Sequence, residues 1–132
     1  MCHNDLAPWN TILRSGTPVA VIDFDDATPG PRADDIAYLL WTFLNLGSSS
    51  APAGIQTHRM RHFCNAYATG DEQLGYRVRS ELLAALDRQQ HRILNFRAAQ
   101  PDPFSAAKHA EILASIAWTQ LHHATLAAHL AD

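Results

Sequence analysis

The hydrophobic period of the chain changes once, just after residue 33, and that change sets what it can fold into. Up to Arg32 the apolar residues come in short runs bounded by turn formers. Thr11 to Arg14 and Val19 to Asp23 read as two strands, with Ser15-Gly16-Thr17-Pro18 as the turn between them, so a hairpin is expected. Phe24 to Arg32 reads as loop because Pro29, Gly30 and Pro31 interrupt it. From there the spacing becomes three and four. Ile36, Leu39, Leu40, Phe43 and Leu44 mark a first helix with Asp34 as its N-cap. The segment from Gly47 to Gly54 is a flexible connection. A second helix is expected from about Ile55 to Tyr67, with a break at Thr69-Gly70-Asp71. A third, about Glu72 to Ala99, carries Leu74, Val78, Leu82, Leu86 and Ile93 on one face. Gln100-Pro101-Asp102-Pro103 stops it, and a fourth, about Phe104 to Leu130, has Leu113, Ile116, Ala117, Leu121 and Ala124 as its stripe. The expected class is mainly α (α+β): one small hairpin followed by about four helices.

Size and charge narrow the functions. The chain has 132 residues, 47% of them hydrophobic, which suffices for one domain with a core. A formal net charge of −3 provides no basic field for nucleic acid and no polybasic membrane patch. No apolar run is long enough to span a bilayer, and Met1 to Asp5 does not resemble a signal peptide. Cys2 and Cys64 are isolated in sequence, which points to reduced thiols and a cytoplasmic location. Lys108 is the only lysine; the other basic residues are arginine.

Three polar residues stand at a spacing that carries chemistry. Asp5 is followed by four residues and then Asn10; thirteen positions later Asp23 ends the apolar run Val19-Ala20-Val21-Ile22. Phosphoryl transfer from a nucleotide needs such a set. One carboxylate takes or orients the proton of the attacking hydroxyl. An amide and a second carboxylate hold a cation on the phosphates, because charge positioning supplies most of the catalysis. A hairpin between Asn10 and Asp23 folds the chain back so that both can face one point.

These residues also carry a family resemblance. His3-Asn4-Asp5-Leu6-Ala7-Pro8-Trp9-Asn10 resembles the HxDxxxxN catalytic loop of the kinase superfamily, and Val21-Ile22-Asp23-Phe24-Asp25 resembles its metal-binding DFG segment. Gly30-Pro31-Arg32-Ala33-Asp34-Asp35-Ile36-Ala37 is similar to the G-x-x-x-x-D-[LI]-A segment of the aminoglycoside phosphotransferase branch. The resemblance implies a small-molecule kinase that uses ATP or GTP with Mg2+. It makes Asp5 the catalytic base, Asn10 and Asp23 the magnesium ligands, and Ile12 a residue packing under the nucleotide base. His3 and Asp35 become structural supports of the catalytic loop. The partner it implies is a small molecule with an acceptor hydroxyl. Ala7 stands where serine/threonine protein kinases usually carry a lysine, which favours small-molecule acceptors.

The family pattern has parts this sequence does not show. No G-x-G-x-x-G occurs, and Lys108 lies too far along, in an expected helix, to be the phosphate-pairing lysine. The resemblance therefore implies a carboxy-terminal lobe, with the amino-terminal lobe absent. On this reading residues 1–132 form one partial domain: a catalytic loop and metal-binding hairpin over 1–33, then a helical subdomain over 34–132. The missing lobe is read as a truncated gene or a start site assigned inside a longer frame, and the apolar surface that the lobe normally covers is expected to promote self-association.

Other residues have two readings. Asp25 and Asp26 could draw a cationic acceptor or be plain loop charges. Trp9 and Trp41 could line a substrate pocket or pack in the core. His58 and His62, four apart on a helix, could hold a metal or face water. The adjacent His122 and His123 point in different directions and read as surface residues. Two other functions are weighed. Asp23-Phe24-Asp25-Asp26-Ala27-Thr28 also resembles the first motif of haloacid-dehalogenase-type phosphatases, with Asp23 as nucleophile and Asp25 as acid. That fold requires strand–helix repeats afterwards, where only helices are expected. The remaining alternative is a non-catalytic helical remnant or interaction module.

Overall fold

The structure, a computed structural model, describes residues 1–100 and 102–131. Its elements follow in the order expected. A single 3-10 turn, Pro8–Asn10, leads into β1 (Thr11–Arg14) and β2 (Thr17–Val21). Then come α1 (Arg32–Leu44), α2 (Ala53–Tyr67), α3 (Glu72–Ala98) and α4 (Pro103–Ala131). Among the described residues the only sheet is the antiparallel β1–β2 pair. The strand–helix repeats that a haloacid-dehalogenase-type phosphatase requires are not among these elements.

The hairpin turn is tighter than the sequence suggests. Ser15 (φ 50°) and Gly16 (φ 78°) are both left-handed, which is a two-residue turn of the I′ kind whose twist matches that of paired strands. Thr17 and Pro18 therefore belong to β2 rather than to the turn. Arg14 pairs with Thr17 and Leu13 with Pro18, and the register slips between Ile12 and Leu13. That bulge lets a proline sit in a ladder, since Pro18 has no N–H to give. β2 ends at Val21 and not at Asp23, because Asp23 is itself left-handed (φ 66°) and leaves extended geometry. A second departure concerns placement. The hairpin stands off the bundle: β2 is exposed at every residue, and Ile12, Leu13, Val19 and Val21 all face outward.

The helices make the core. Ile36, Ala37 and Leu40 of α1 and Met60 and Cys64 of α2 belong to one buried cluster, in which α1 packs mainly on α3 and α2 on α4. Val78, Leu82 and Leu86 of α3 and Leu126 and Leu130 of α4 complete the cluster. Leu74 and Ile93, from the expected α3 stripe, are only partly buried. Asp34 is not the N-cap of α1. Pro31 takes that place, its carbonyl accepting the Asp34 N–H at 3.1 Å, and Asp34 lies inside the first turn paired with Arg88. Pro101, part of the expected stop before α4, lies outside the described residues.

The buried face of α4 differs from the expected one. Leu113, Ala117, Leu121 and Ala124 are exposed, and Leu121 keeps 79% of its surface. Of that stripe, only Ile116 is buried. The face turned inward carries Ile112, Ile116, Leu126 and Leu130 together with Ser105, Ser115 and Thr119. The hydroxyls are there because they have partners. Gln90 of α3 donates to Ser115 Oγ at 3.0 Å and Thr119 Oγ1 at 3.1 Å, and Ser115 donates to the Leu46 carbonyl at 2.7 Å. A satisfied buried network of this kind fixes how α3, α4 and the α1–α2 connection sit together. Gly47 (φ 89°) passes so close that an added Cβ would lie 2.5 Å from Ser115 Cα.

Candidate active site

The segment from His3 to Asn10 is pinned from several directions. Asp35, in the first turn of α1, accepts the main-chain N–H of His3 at 2.7 Å on Oδ2 and that of Asn4 at 2.8 Å on Oδ1. One carboxylate thus holds two successive peptide groups. His3 is buried. Its Nδ1 accepts the Asp5 N–H at 3.2 Å, which assigns the ring proton to Nε2, and Nε2 then donates to the Ile22 carbonyl at 2.9 Å. Through this imidazole the segment before Asp23 is tied to the segment that bears Asp5. Phe24 packs against the same ring, with centroids 4.6 Å apart. Cys2 and Thr28 exchange main-chain hydrogen bonds beside it. Cys2 is buried, which raises its thiol pKa, and the nearby Asp35 charge raises it further.

Asn4 takes a left-handed conformation (φ 66°), which asparagine tolerates better than most residues, and its side-chain amide donates to the Asp26 carbonyl and to Thr28 Oγ1. Beyond it the Asp5 carboxylate is held by aimed donors. Asn10 Nδ2 donates to Asp5 Oδ2 at 2.7 Å and to the Asp5 carbonyl at 2.9 Å, and Trp9 Nε1 reaches Oδ2 at 3.2 Å. The Tyr38 phenol, in the buried face of α1, also faces this carboxylate. Burial above all, then the charge of Asp5 and a hydrogen bond to it, push the Tyr38 hydroxyl well above its ordinary pKa. It therefore stays a donor at neutral pH.

Asp23 lies next to this group through the main chain, since the Ile22 N–H donates to the Asn10 carbonyl at 3.0 Å. Its side chain is exposed and has no hydrogen-bond partner among the described residues. The donor set suits Mg2+. Asn10 uses its NH2 on Asp5, which leaves Oδ1 for a cation, and Asp23 offers a carboxylate. Magnesium takes hard oxygens, few from protein and the rest from water and phosphate.

The other expected site residues are placed as follows. Ile12 is exposed on β1. Asp25 and Asp26 are exposed, and only the main-chain carbonyl of Asp26 is engaged, by Asn4. Trp9 is exposed and Trp41 half-buried. Both line a cavity of about 380 Å³ that opens beside Asp5 between α1, α3 and α4. His58 and His62 face outward; among the described residues no three His, Cys, Asp or Glu side chains cluster as metal ligands. His123 is exposed, while the ring of half-buried His122 packs tilted against Trp118, with centroids 4.9 Å apart.

Four residues near the site were not singled out from sequence: Tyr38, Arg92, Arg97 and Phe104. Arg92 donates to the Asn4 carbonyl at 2.6 Å and lies over the Tyr38 ring at 5.6 Å. No local pattern announces a contact across 88 positions. An arginine on the side of α3 that faces the loop was its only trace.

No helix among the described residues is long and apolar enough to cross a membrane. No curated protein and no solved structure matches the chain. The phosphotransferase enzyme family (APH) matches residues 1–74, which takes in the loop, the hairpin, α1 and α2. That match covers more than half of the 132 residues and the whole Asp5–Asn10–Asp23 constellation, so the chain belongs to the phosphotransferase enzyme family.

Proposed function

We propose that this chain carries the catalytic loop and metal-binding hairpin of a small-molecule kinase that moves the γ-phosphoryl of ATP or GTP to a hydroxyl. The observation that carries the reading is the Asp5 carboxylate, fixed by Asn10 and Trp9 on a loop that Asp35 clamps. Asp5 accepts the acceptor's hydroxyl proton as the oxygen attacks phosphorus. Asn10 has two tasks. Its NH2 orients Asp5, and its Oδ1 joins the Asp23 carboxylate as a ligand for Mg2+. When bound, magnesium neutralises charge on the phosphate oxygens. His3 keeps the Asp5 and Asp23 segments in register, and Ile12 offers an apolar surface for the nucleotide base. The hydrogen bonds on Asp5 and Asn10 support the reading, because groups held before substrate arrives supply most of the rate advantage of phosphoryl transfer.

The chain holds no G-x-G-x-x-G, and its one lysine, Lys108, sits in α4 paired with Glu111. It resembles the carboxy-terminal lobe of a kinase, and by itself it should transfer phosphoryl groups very slowly or not at all. The exposed hairpin, with Ile12, Leu13, Val19, Val21, Ile22 and Phe24 facing outward, supports self-association of the isolated chain. Transfer from radiolabelled magnesium-ATP to a panel of hydroxyl compounds tests the reading. Any transfer should fall at least about a hundredfold in Asp5→Ala. Transfer unchanged by that substitution would remove Asp5 from the chemistry.

A further inference from the structure

The cavity beside Asp5 has a chemical character that phosphoryl transfer alone does not require. Its walls are aromatic: Trp9 from the 3-10 turn, Tyr38 and Trp41 from α1, and Phe104 from α4. Tyr38 and Trp41 meet edge to face at 5.9 Å. Trp9 lines the cavity and also donates to Asp5 Oδ2 at 3.2 Å, so the Trp9 end of the cavity is the one next to the base. Such walls favour a flat apolar body.

The charged lining residues are unbalanced. Arg97 and Lys108 lie over the Phe104 ring at 5.4 and 5.9 Å. The single acidic residue in the lining, Glu111, is taken up by Lys108 at 2.6 Å. Arg97 forms no ion pair among the described residues. Asp102, which feels its charge, is engaged as the cap of α4, accepting the Ser105 N–H at 2.9 Å. Asp25 and Asp26, the acidic pair that could have drawn a cation, do not line this cavity. A guanidinium beside an aromatic wall is suited to a planar acid.

We infer that the acceptor is a hydroxyl compound with a flat apolar body and an acidic group, its body between Trp9, Tyr38 and Phe104 and its acid on Arg97, the one lining cation not paired with Glu111. The inference rests on Asp5 being the base that faces the acceptor. Polyamine acceptors are disfavoured, because their ammonium groups would meet Arg97 while the one acidic residue of the lining, Glu111, is already paired with Lys108.

Binding without nucleotide separates this inference from the kinase reading. The probes are para-(hydroxymethyl)benzoate, the cationic para-(aminomethyl)benzyl alcohol and kanamycin, titrated into the full chain while the indole N–H signals of Trp9 and Trp41 are followed by NMR. The benzoate should shift both signals and bind about tenfold tighter than the cation, a difference of about 1.4 kcal/mol. Arg97→Glu should reverse that order. Phe104→Ala, which keeps both cations, should weaken benzoate and amine alike without reversing them, and so guards against misfolding of the charge variant. Kanamycin or the amine binding as tightly as the benzoate would overturn the inference. So would an order unchanged in Arg97→Glu, or indole signals unmoved by every probe. Benzoate preference together with ATP binding that ignores magnesium and survives Asp23→Ala would keep the cavity assignment and sink the kinase reading.

Discussion

Arg92 donates to the main-chain carbonyl of Asn4 at 2.6 Å, joining α3 to the loop that bears Asp5 across 88 positions of sequence. The same guanidinium covers Tyr38, which faces Asp5, and its Nε is held by Gln89 at 2.8 Å. Arg92 therefore positions the loop from outside it. Replacing it with methionine keeps an aliphatic stem and removes the donors. Because the site is exposed, the stability loss should be modest, about 1 kcal/mol in a denaturant titration. The larger effect should be local. Amide hydrogen exchange at His3, Asn4 and Asp5 should accelerate at least about tenfold, with the α2–α3 core unchanged. Uniform acceleration everywhere would make Arg92 an ordinary stabilising residue.

Gly47 and Gly16 are both left-handed but differ in their surroundings. At Gly47 a Cβ would strike Ser115 Cα at 2.5 Å, backbone that cannot retreat without disturbing the Gln90–Ser115–Leu46 network. At Gly16 a Cβ meets nothing within 4 Å. Alanine at position 16 should cost about 1 kcal/mol, the strain of the backbone alone. Alanine at position 47 should cost about 3 kcal/mol or more. Equal losses would mean that the connection does not press on α4 as described.

Both thiols are free and buried. Burial pushes Cys64 up to about 11 from an ordinary value of 9.0, and pushes Cys2 up as well. A raised value means the fold favours the neutral thiol. For Cys64 that contribution is complete below pH 9.0 and is lost as pH rises through about 11. At about pH 8 neither thiol should react with an aromatic disulfide reagent faster than the protein unfolds. Fast labelling of Cys2 alone would show that the Cys2–Thr28 bridge opens. Fast labelling of Cys64 would contradict the core.

The course of the fold was legible from sequence because its apolar period changes sharply and its turns are strongly marked. Two features were not. Pro18 reads locally as a loop former, and only the pairing of Leu13 with Pro18 beside a bulge shows that β2 includes it. On α4, apolar spacing favours Leu113, Ala117, Leu121 and Ala124. The helix instead buries Ser115 and Thr119, because Gln90 waits on α3 to receive them. A pattern that weighs apolar residues alone cannot see a hydroxyl whose partner lies in another helix. The loop residues of the site were readable because Asp5, Asn10 and Asp23 are close in sequence. The cavity was not, since Tyr38, Arg97 and Phe104 are brought together only by the packing of α1, α3 and α4.

The central claim is that Asp23 and Asn10 hold magnesium for a nucleotide while Asp5 serves the acceptor. Calorimetric titration of ATP into the full chain, with and without magnesium, tests it most directly when repeated on Asp23→Ala and Asp5→Ala. The expected result is weak binding that requires magnesium, falls at least about tenfold in Asp23→Ala and persists in Asp5→Ala. Binding that is indifferent to magnesium, or that survives Asp23→Ala but is lost in Asp5→Ala, would contradict the assignment of both carboxylates.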